Sequence, residues 1–391
     1  GQFSYYTNSH ILKFSLFFIL FIILSFIRIG FWHALAYLFY LLILVMLVYV
    51  LWFGVTAQGS QRWINLYFLN LQPSEFMKIA IIVCFAKFYH RVQSQDINKV
   101  KNIVYPIILL ALPIYLVIAQ PDLGTSILIA ASGLAVIWLA GVKIKYFIYS
   151  FLTLLVCAPF VIAFLKPYQK MRILTFFNPE RDPTGAGYQI LQSKIAVGSG
   201  GLFGKGYLKG TQSYLEYLPE KHTDFIFTLF SEEFGFLGSS ILLMLYFVML
   251  FRIIRIGQQS ESYFAKFYCF GFTSALFIYI TVNMSMVLGL LPIVGSPLPI
   301  MSYGGSALLA TMIGFSIVMS CKIYNKEIIS YIEKYYKLYT RNQWKRERFA
   351  VSFHLELDSL DPKTYSRFPV LNGAMEDELE DMWDYIKEKR A

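Results

Sequence analysis

Charge is scarce in this sequence. Only 15% of its 391 residues are Asp, Glu, Lys or Arg, while 57% are hydrophobic and 18% aromatic, far from the average for soluble domains. That shortage excludes a water-soluble fold, which has no means of hiding so much apolar surface. Cysteine is scarce too: Cys84, Cys157, Cys269 and Cys321 each fall inside an apolar run with no CxxC or similar pairing. Neither a disulfide framework nor a zinc site is implied, and the four read as packing residues. A continuous basic face is also missing. The formal net charge of +10 is spread over Lys and Arg residues between apolar runs, which marks membrane topology and lipid head-group contacts, not nucleic acid. The chain starts at Gly1 with polar residues and no signal peptide.

What is present instead is a series of long apolar runs. A hydrocarbon core of about 30 Å needs roughly 20 apolar residues per helix, and about nine segments meet that length. They are Ile11–Ile29, Ala34–Val55, Pro73–Tyr89, Ile103–Ala119, Leu123–Gly141, Tyr146–Leu165, Phe225–Phe251, Tyr263–Leu290 and Met301–Cys321. The fold class predicted is all-α, a polytopic membrane helix bundle. Lys and Arg gather on one set of connections (Arg28; Lys87 to Lys101; Lys143 and Lys145; Arg252 to Lys266; Lys322 and Lys326), which makes that side cytoplasmic. The connection 166–223 then faces outward. So does the start of the chain, which leads us to expect one further helix upstream.

The outward connection is too rich in apolar and aromatic residues to read as disordered, and its Tyr188–Val197 part has the spacing of an amphipathic helix on the membrane surface. Residues 1–330 form the membrane domain in this reading. Residues 331–391 form a cytoplasmic tail, first basic and then acidic, suited to an interaction or lipid-surface role.

Several polar residues carry possible chemistry. Glu75 and Lys78 stand at i and i+3 in the third span, on one helix face, where charges are costly unless paired. They read either as a structural ion pair or as a polar site lining a cavity. Asp122, in Gln120-Pro121-Asp122-Leu123-Gly124-Thr125, opens a span, where it can cap free N–H groups or act on substrate. The glycine-rich run Gly198–Gly206 fails as a phosphate loop, because Ser199 and Gly206 replace the required Gly and Ser or Thr. Its backbone N–H groups remain a conceivable pyrophosphate cradle. The densest polar cluster is Pro219-Glu220-Lys221-His222-Thr223-Asp224-Phe225, which runs directly into a span. A carboxylate at the water boundary beside apolar surface can be tuned toward a general base, and a helix cap is the competing reading.

Taken together these segments resemble the SEDS family (shape, elongation, division and sporulation) of lipid II polymerases. The matching stretches are Gly59-Ser60-Gln61-Arg62-Trp63-Ile64, Gln72-Pro73-Ser74-Glu75, the Asp122 motif, Gly185-Ala186-Gly187-Tyr188-Gln189, Gly198–Gly204, Leu218–Phe227 and Ser302-Tyr303-Gly304-Gly305-Ser306. They follow in family order. Asn178–Pro183, Lys205-Gly206, Gly210–Ser213 and Gly289–Gly295 are similar to the elongation, RodA-type branch more than to the division branch. The family has ten helices, so the resemblance implies the same missing first helix as the charge pattern.

It also implies a peptidoglycan glycosyltransferase that polymerises lipid II, carried on undecaprenyl pyrophosphate, on the outer face of the bacterial cytoplasmic (inner) membrane during cell elongation. The family's essential aspartate falls on Asp224, and its other functional polar positions on Glu75, Lys78 and Asp122. Arg62, Lys194, Lys205, Glu220, Lys221 and His222 are further candidates for holding substrate or offsetting pyrophosphate charge. No cofactor is required by the sequence, although a divalent cation such as Mg²⁺ or Mn²⁺ fits the chemistry. The implied partners are a class B penicillin-binding protein (a transpeptidase) and the elongation machinery, with no nucleic acid. Two other readings compete: a lipid II flippase or transporter, because intramembrane charges also mark substrate pathways, and a non-catalytic cell-wall scaffold.

Overall fold

The computed structural model describes residues 5–57, 60–65, 70–164, 167–182, 185–211 and 222–327. Glu220, Lys221 and the tail 331–391 lie outside the described residues. The chain divides into two units, residues 1–90 with 98–327, and residues 91–97 with 328–391. Of the second unit only Arg91–Ile97 is described, a short turn closed by the Asp96 N–H on the Gln93 carbonyl at 2.9 Å.

The first unit is a helix bundle. Its helices are α1 (Tyr5–Ser25), α2 (Ile29–Phe53), α3 (Pro73–His90), α4 (Val100–Ala119), α5 (Leu123–Leu139), α6 (Ile144–Phe164), α7 (Pro167–Phe177), α8 (Ala186–Ser199), α9 (Ile226–Gln259), α10 (Tyr263–Val287) and α11 (Gly305–Ile323). A small antiparallel sheet, β1 (Val55–Ala57), β2 (Ser60–Asn65) and β3 (Asn70–Leu71), joins α2 to α3. Among the described helices α1, α2, α4, α9, α10 and α11 are long and apolar enough to cross a bilayer. The other three predicted spans fall on α3, α5 and α6. The protein is thus a multi-pass membrane helix bundle, as predicted, and α8 covers the Tyr188–Val197 stretch expected to be helical.

The centre of the bundle is α3. Every residue from Pro73 to Lys87 is buried, with α2, α5, α10 and α11 packed around it. A helix enclosed on all sides by protein need not be apolar, which is how α3 carries Glu75, Lys78 and Lys87 at membrane depth. Pro73 sits at its start, where a missing N–H costs nothing, and Glu75 lies in the first turn, where the helix dipole favours a carboxylate. Neighbouring helices are tied by side-chain bonds to backbone carbonyls: Tyr40 to Leu109 (2.7 Å), Gln120 to Leu47 (2.9 Å) and Tyr268 to Gly314 (2.9 Å). Such bonds contribute about 1 kcal/mol each in a bilayer.

Helix α9 is broken at Gly235, whose φ of 65° and ψ of −161° leave the helical region. The glycine-rich run after α8 fills the break. Lys205 and Gly206 donate their N–H groups to the Glu232 and Glu233 carbonyls (3.0 Å each), and Phe236 and Leu237 donate theirs to the Gly201 and Leu202 carbonyls (2.9 and 3.0 Å). Backbone groups freed by the break are thereby satisfied within the protein, the condition for non-helical backbone in a spanning segment. The approach is too close for side chains: a Cβ on Gly235 would strike the Gly204 backbone, and one on Gly204 the Glu233 carbonyl.

Some boundaries differ from those predicted. Helix α9 continues to Gln259, beyond Phe251, and α11 starts at Gly305, not Met301, because Ser302 and Tyr303 are engaged in holding another segment. The sheet between α2 and α3 and the helix α7 were not anticipated.

Candidate active site

Four of the predicted residues converge at α3. Lys78 Nζ donates to Glu75 Oε2 at 2.6 Å, with both side chains almost fully buried, and it lies 3.9 Å from the centre of the Tyr279 ring on α10. Lys78 also feels the charge of Asp122. Asp122 caps α5 by accepting the Thr125 N–H (3.1 Å) and hydroxyl (2.9 Å). Its second role is electrostatic, since Arg62 on β2 reaches it at 3.2 Å. The sheet therefore has a function in the fold: it carries Arg62 over the start of α5. Glu75, Lys78 and Tyr279 line a pocket, partly open to the outside, that Leu298 and Ser302 also line.

Ser302 links this pocket to the turn that carries Asp224. The turn His222–Phe225 precedes α9, and three neighbours hold its backbone. Tyr303 N–H donates to the His222 carbonyl (2.9 Å). Ser302 Oγ donates to the Thr223 carbonyl (2.6 Å) while accepting the Leu298 N–H (2.7 Å). Asn283 Nδ2, on α10, donates to the carbonyls of Asp224 (2.8 Å) and Ser296 (2.6 Å). The Asp224 side chain is half-buried and faces Gly295, where an added Cβ would stand 3.6 Å from its carboxylate oxygen. The carboxylate is thus half-buried on a backbone held from three sides.

The remaining candidates lie elsewhere. Lys205 Nζ is bound to the fully buried Glu232 (2.7 Å) and to the Thr211 hydroxyl (2.9 Å), while Thr211 gives its N–H (2.9 Å) and hydroxyl (3.0 Å) to the same Glu232 oxygen. Lys194 is exposed on α8, its stem crossing Gly289 so closely that a Cβ there would collide with it. Among the described residues no three His, Cys, Asp or Glu side chains gather as metal ligands. Asn283 and Tyr279 were not singled out from the sequence. A lone Asn inside a 25-residue apolar helix was the available signal, because polar groups at membrane depth ask for a reason.

An intramembrane ion-pair array, in a pocket whose Ser302 also bonds the turn that carries a half-buried carboxylate, defines a membrane-embedded protein built around polar residues. The chain belongs to the FtsW/RodA/SpoVE family of cell cycle proteins, whose profile matches residues 2–327. It is 46% identical over 290 residues to the peptidoglycan glycosyltransferase MrdB of Escherichia coli strain K12, covering 73% of this chain and 77% of that one. Stage V sporulation protein E of Bacillus subtilis is 38% identical over 290 residues, 74% of this chain and 77% of that one. Among solved structures, a chain of a peptidoglycan synthase complex that coordinates polymerization and crosslinking superposes with a TM-score of 0.72 at 29% identity, over 82% of this chain and 90% of that one. The rod shape determining protein RodA of Thermus thermophilus gives 0.60 at 25% identity, over 81% and 87%. The family resemblance drawn from the motifs holds.

Proposed function

We propose that this chain is a peptidoglycan glycosyltransferase of the elongation type, which polymerises lipid II at the outer face of the bacterial inner membrane with Asp224 as its general base. The observation that carries the reading is the Asp224 turn, a half-exposed carboxylate whose main chain is clamped by Asn283, Ser302 and Tyr303. In the reaction a sugar hydroxyl attacks the anomeric carbon of a second lipid-linked sugar and the glycosidic bond forms. The hydroxyl proton passes to Asp224, and the bond to the lipid pyrophosphate breaks. Lys194, together with Lys221 and His222, which precede Asp224 in the sequence, offsets the charge of the leaving pyrophosphate. Lys205 is already engaged by Glu232. Asp224 would hold a Mg²⁺ or Mn²⁺ ion, which would supply further charge compensation.

Glu75 and Lys78 line a pocket with Ser302, which also holds the Asp224 turn, and they belong to the same polar site in this reading. The likeness to a chain of a peptidoglycan synthase complex supports a crosslinking partner, a class B penicillin-binding protein. Purified protein given fluorescent lipid II in proteoliposomes tests the reading. Glycan polymer is the expected product. Movement of lipid II between leaflets without polymer would make the chain a flippase, and neither outcome would leave it a scaffold.

A further inference from the structure

We propose that Tyr303 is a positioning residue for the Asp224 turn and that Lys13 and Ser9 of α1 hold it in register. The proposal rests on the reading of Asp224 as base. Helix α1 lies at the edge of the bundle, packed mainly along α11, where Phe17 meets Leu308 and Met312. Ile11, Leu12, Leu16, Ile19 and Ile23 are exposed. A lysine in such a helix is costly in a bilayer and asks for a partner.

Its partner is one phenol. Lys13 Nζ donates to Tyr303 Oη at 2.9 Å and stands 4.5 Å from the ring centre, combining a hydrogen bond with a cation–π contact. Ser9 Oγ is 3.2 Å from the same oxygen. Burial alone would raise the Tyr303 phenol, but the Lys13 and Ser9 bonds and the Lys13 charge outweigh it and bring it below its ordinary value. The hydroxyl of Tyr303 is thus fixed by α1, while its N–H fixes the His222 carbonyl two residues before Asp224. Ser302, the preceding residue, fixes Thr223. One short segment therefore transmits the placement of α1 to the carboxylate.

The opposite end of α1 offers a control. Arg28, just past its last residue, pairs with Glu327 at 3.2 Å, far along the helix from Tyr303. If Lys13 merely ties α1 to the bundle, losing either tie has the same consequence. If it sets the Asp224 turn, only the Lys13 end matters.

The test uses the full chain in nanodiscs, with lipid II polymerisation and amide hydrogen exchange over residues 222–225 as paired readouts. Tyr303→Phe and Lys13→Met should each lower kcat about tenfold with KM nearly unchanged, because displacement of a reacting group by a fraction of an ångström acts on turnover. Exchange at 222–225 should rise about tenfold, the sign of local opening. Arg28→Gln should leave both readouts at parent values. Parent-like turnover and exchange in Tyr303→Phe and Lys13→Met would overturn the proposal, as would an equal loss in Arg28→Gln. If instead Asp224→Asn retains polymerisation, the base assignment fails, and the exchange data alone still decide whether α1 holds the turn.

Discussion

The buried array on α3 and the turn at Asp224 are held by opposite means. Glu75 and Lys78 are fixed by their side chains, charge against charge and charge against the Tyr279 ring, with protein on every side. At Asp224 the main chain is fixed, by donors from α10 and from the segment before α11, and the carboxylate is left half-exposed. The first arrangement buries its charges in holding the fold; the second holds the backbone of a half-buried carboxylate. Substitutions in the array should therefore act on stability, and substitutions at the turn on turnover.

The largest effect on stability is expected from Lys78→Met, which leaves Glu75 buried without its cation at a cost of about 3 to 5 kcal/mol. Glu75→Gln should fall at the lower end of that range, because Lys78 retains Asp122 and the Tyr279 ring. The double variant should lose less than the sum. Unfolding in mixed micelles measures all three, and a harmless Lys78→Met would show that the array does not hold the bundle. Asn283→Ala lies between the two regions. It orphans the buried carbonyl of Ser296 and the part-buried one of Asp224, at about 1 to 3 kcal/mol, and should also lower turnover, so an effect on stability alone would separate Asn283 from the site. The smallest change is expected from Asp122→Asn. Asn caps nearly as well as Asp, so only the Arg62 pair is weakened, and a thermal shift close to parent with most polymerisation retained is the predicted result.

The spans and the Glu75/Lys78 spacing were legible in the sequence because both follow from local rules, whereas the Arg62–Asp122 pair, 60 residues apart, was not. Apolar length marks a helix, and the i, i+3 spacing of Glu75 and Lys78 puts them on one face. Capping by Asp122 was equally readable from its place before an apolar run. What escaped detection depends on pairing across long separations. Nothing local to Gly235 says that residues 201–206 fill the break there, and nothing local to Asn283 says that it meets Asp224, 59 residues away. Lys205 shows the limit from the other direction: a lysine in a glycine-rich run reads as a phosphate contact, yet it is bound to a buried glutamate 27 residues on. The sheet at 55–71 was missed because β1 and β3, three and two residues long, fall below the length at which alternation can be told from a loop.

The central claim is that Asp224 provides chemistry and not architecture, and Asp224→Asn tests it most directly. The amide keeps the size of the side chain and its hydrogen bonding but removes its basicity. Single-turnover polymerisation of labelled lipid II by the purified variant, compared with the parent at matched thermal stability, should fall by about 10² to 10⁴. Near-parent polymer from a folded Asp224→Asn protein would contradict the account and move the base to another carboxylate such as Glu220.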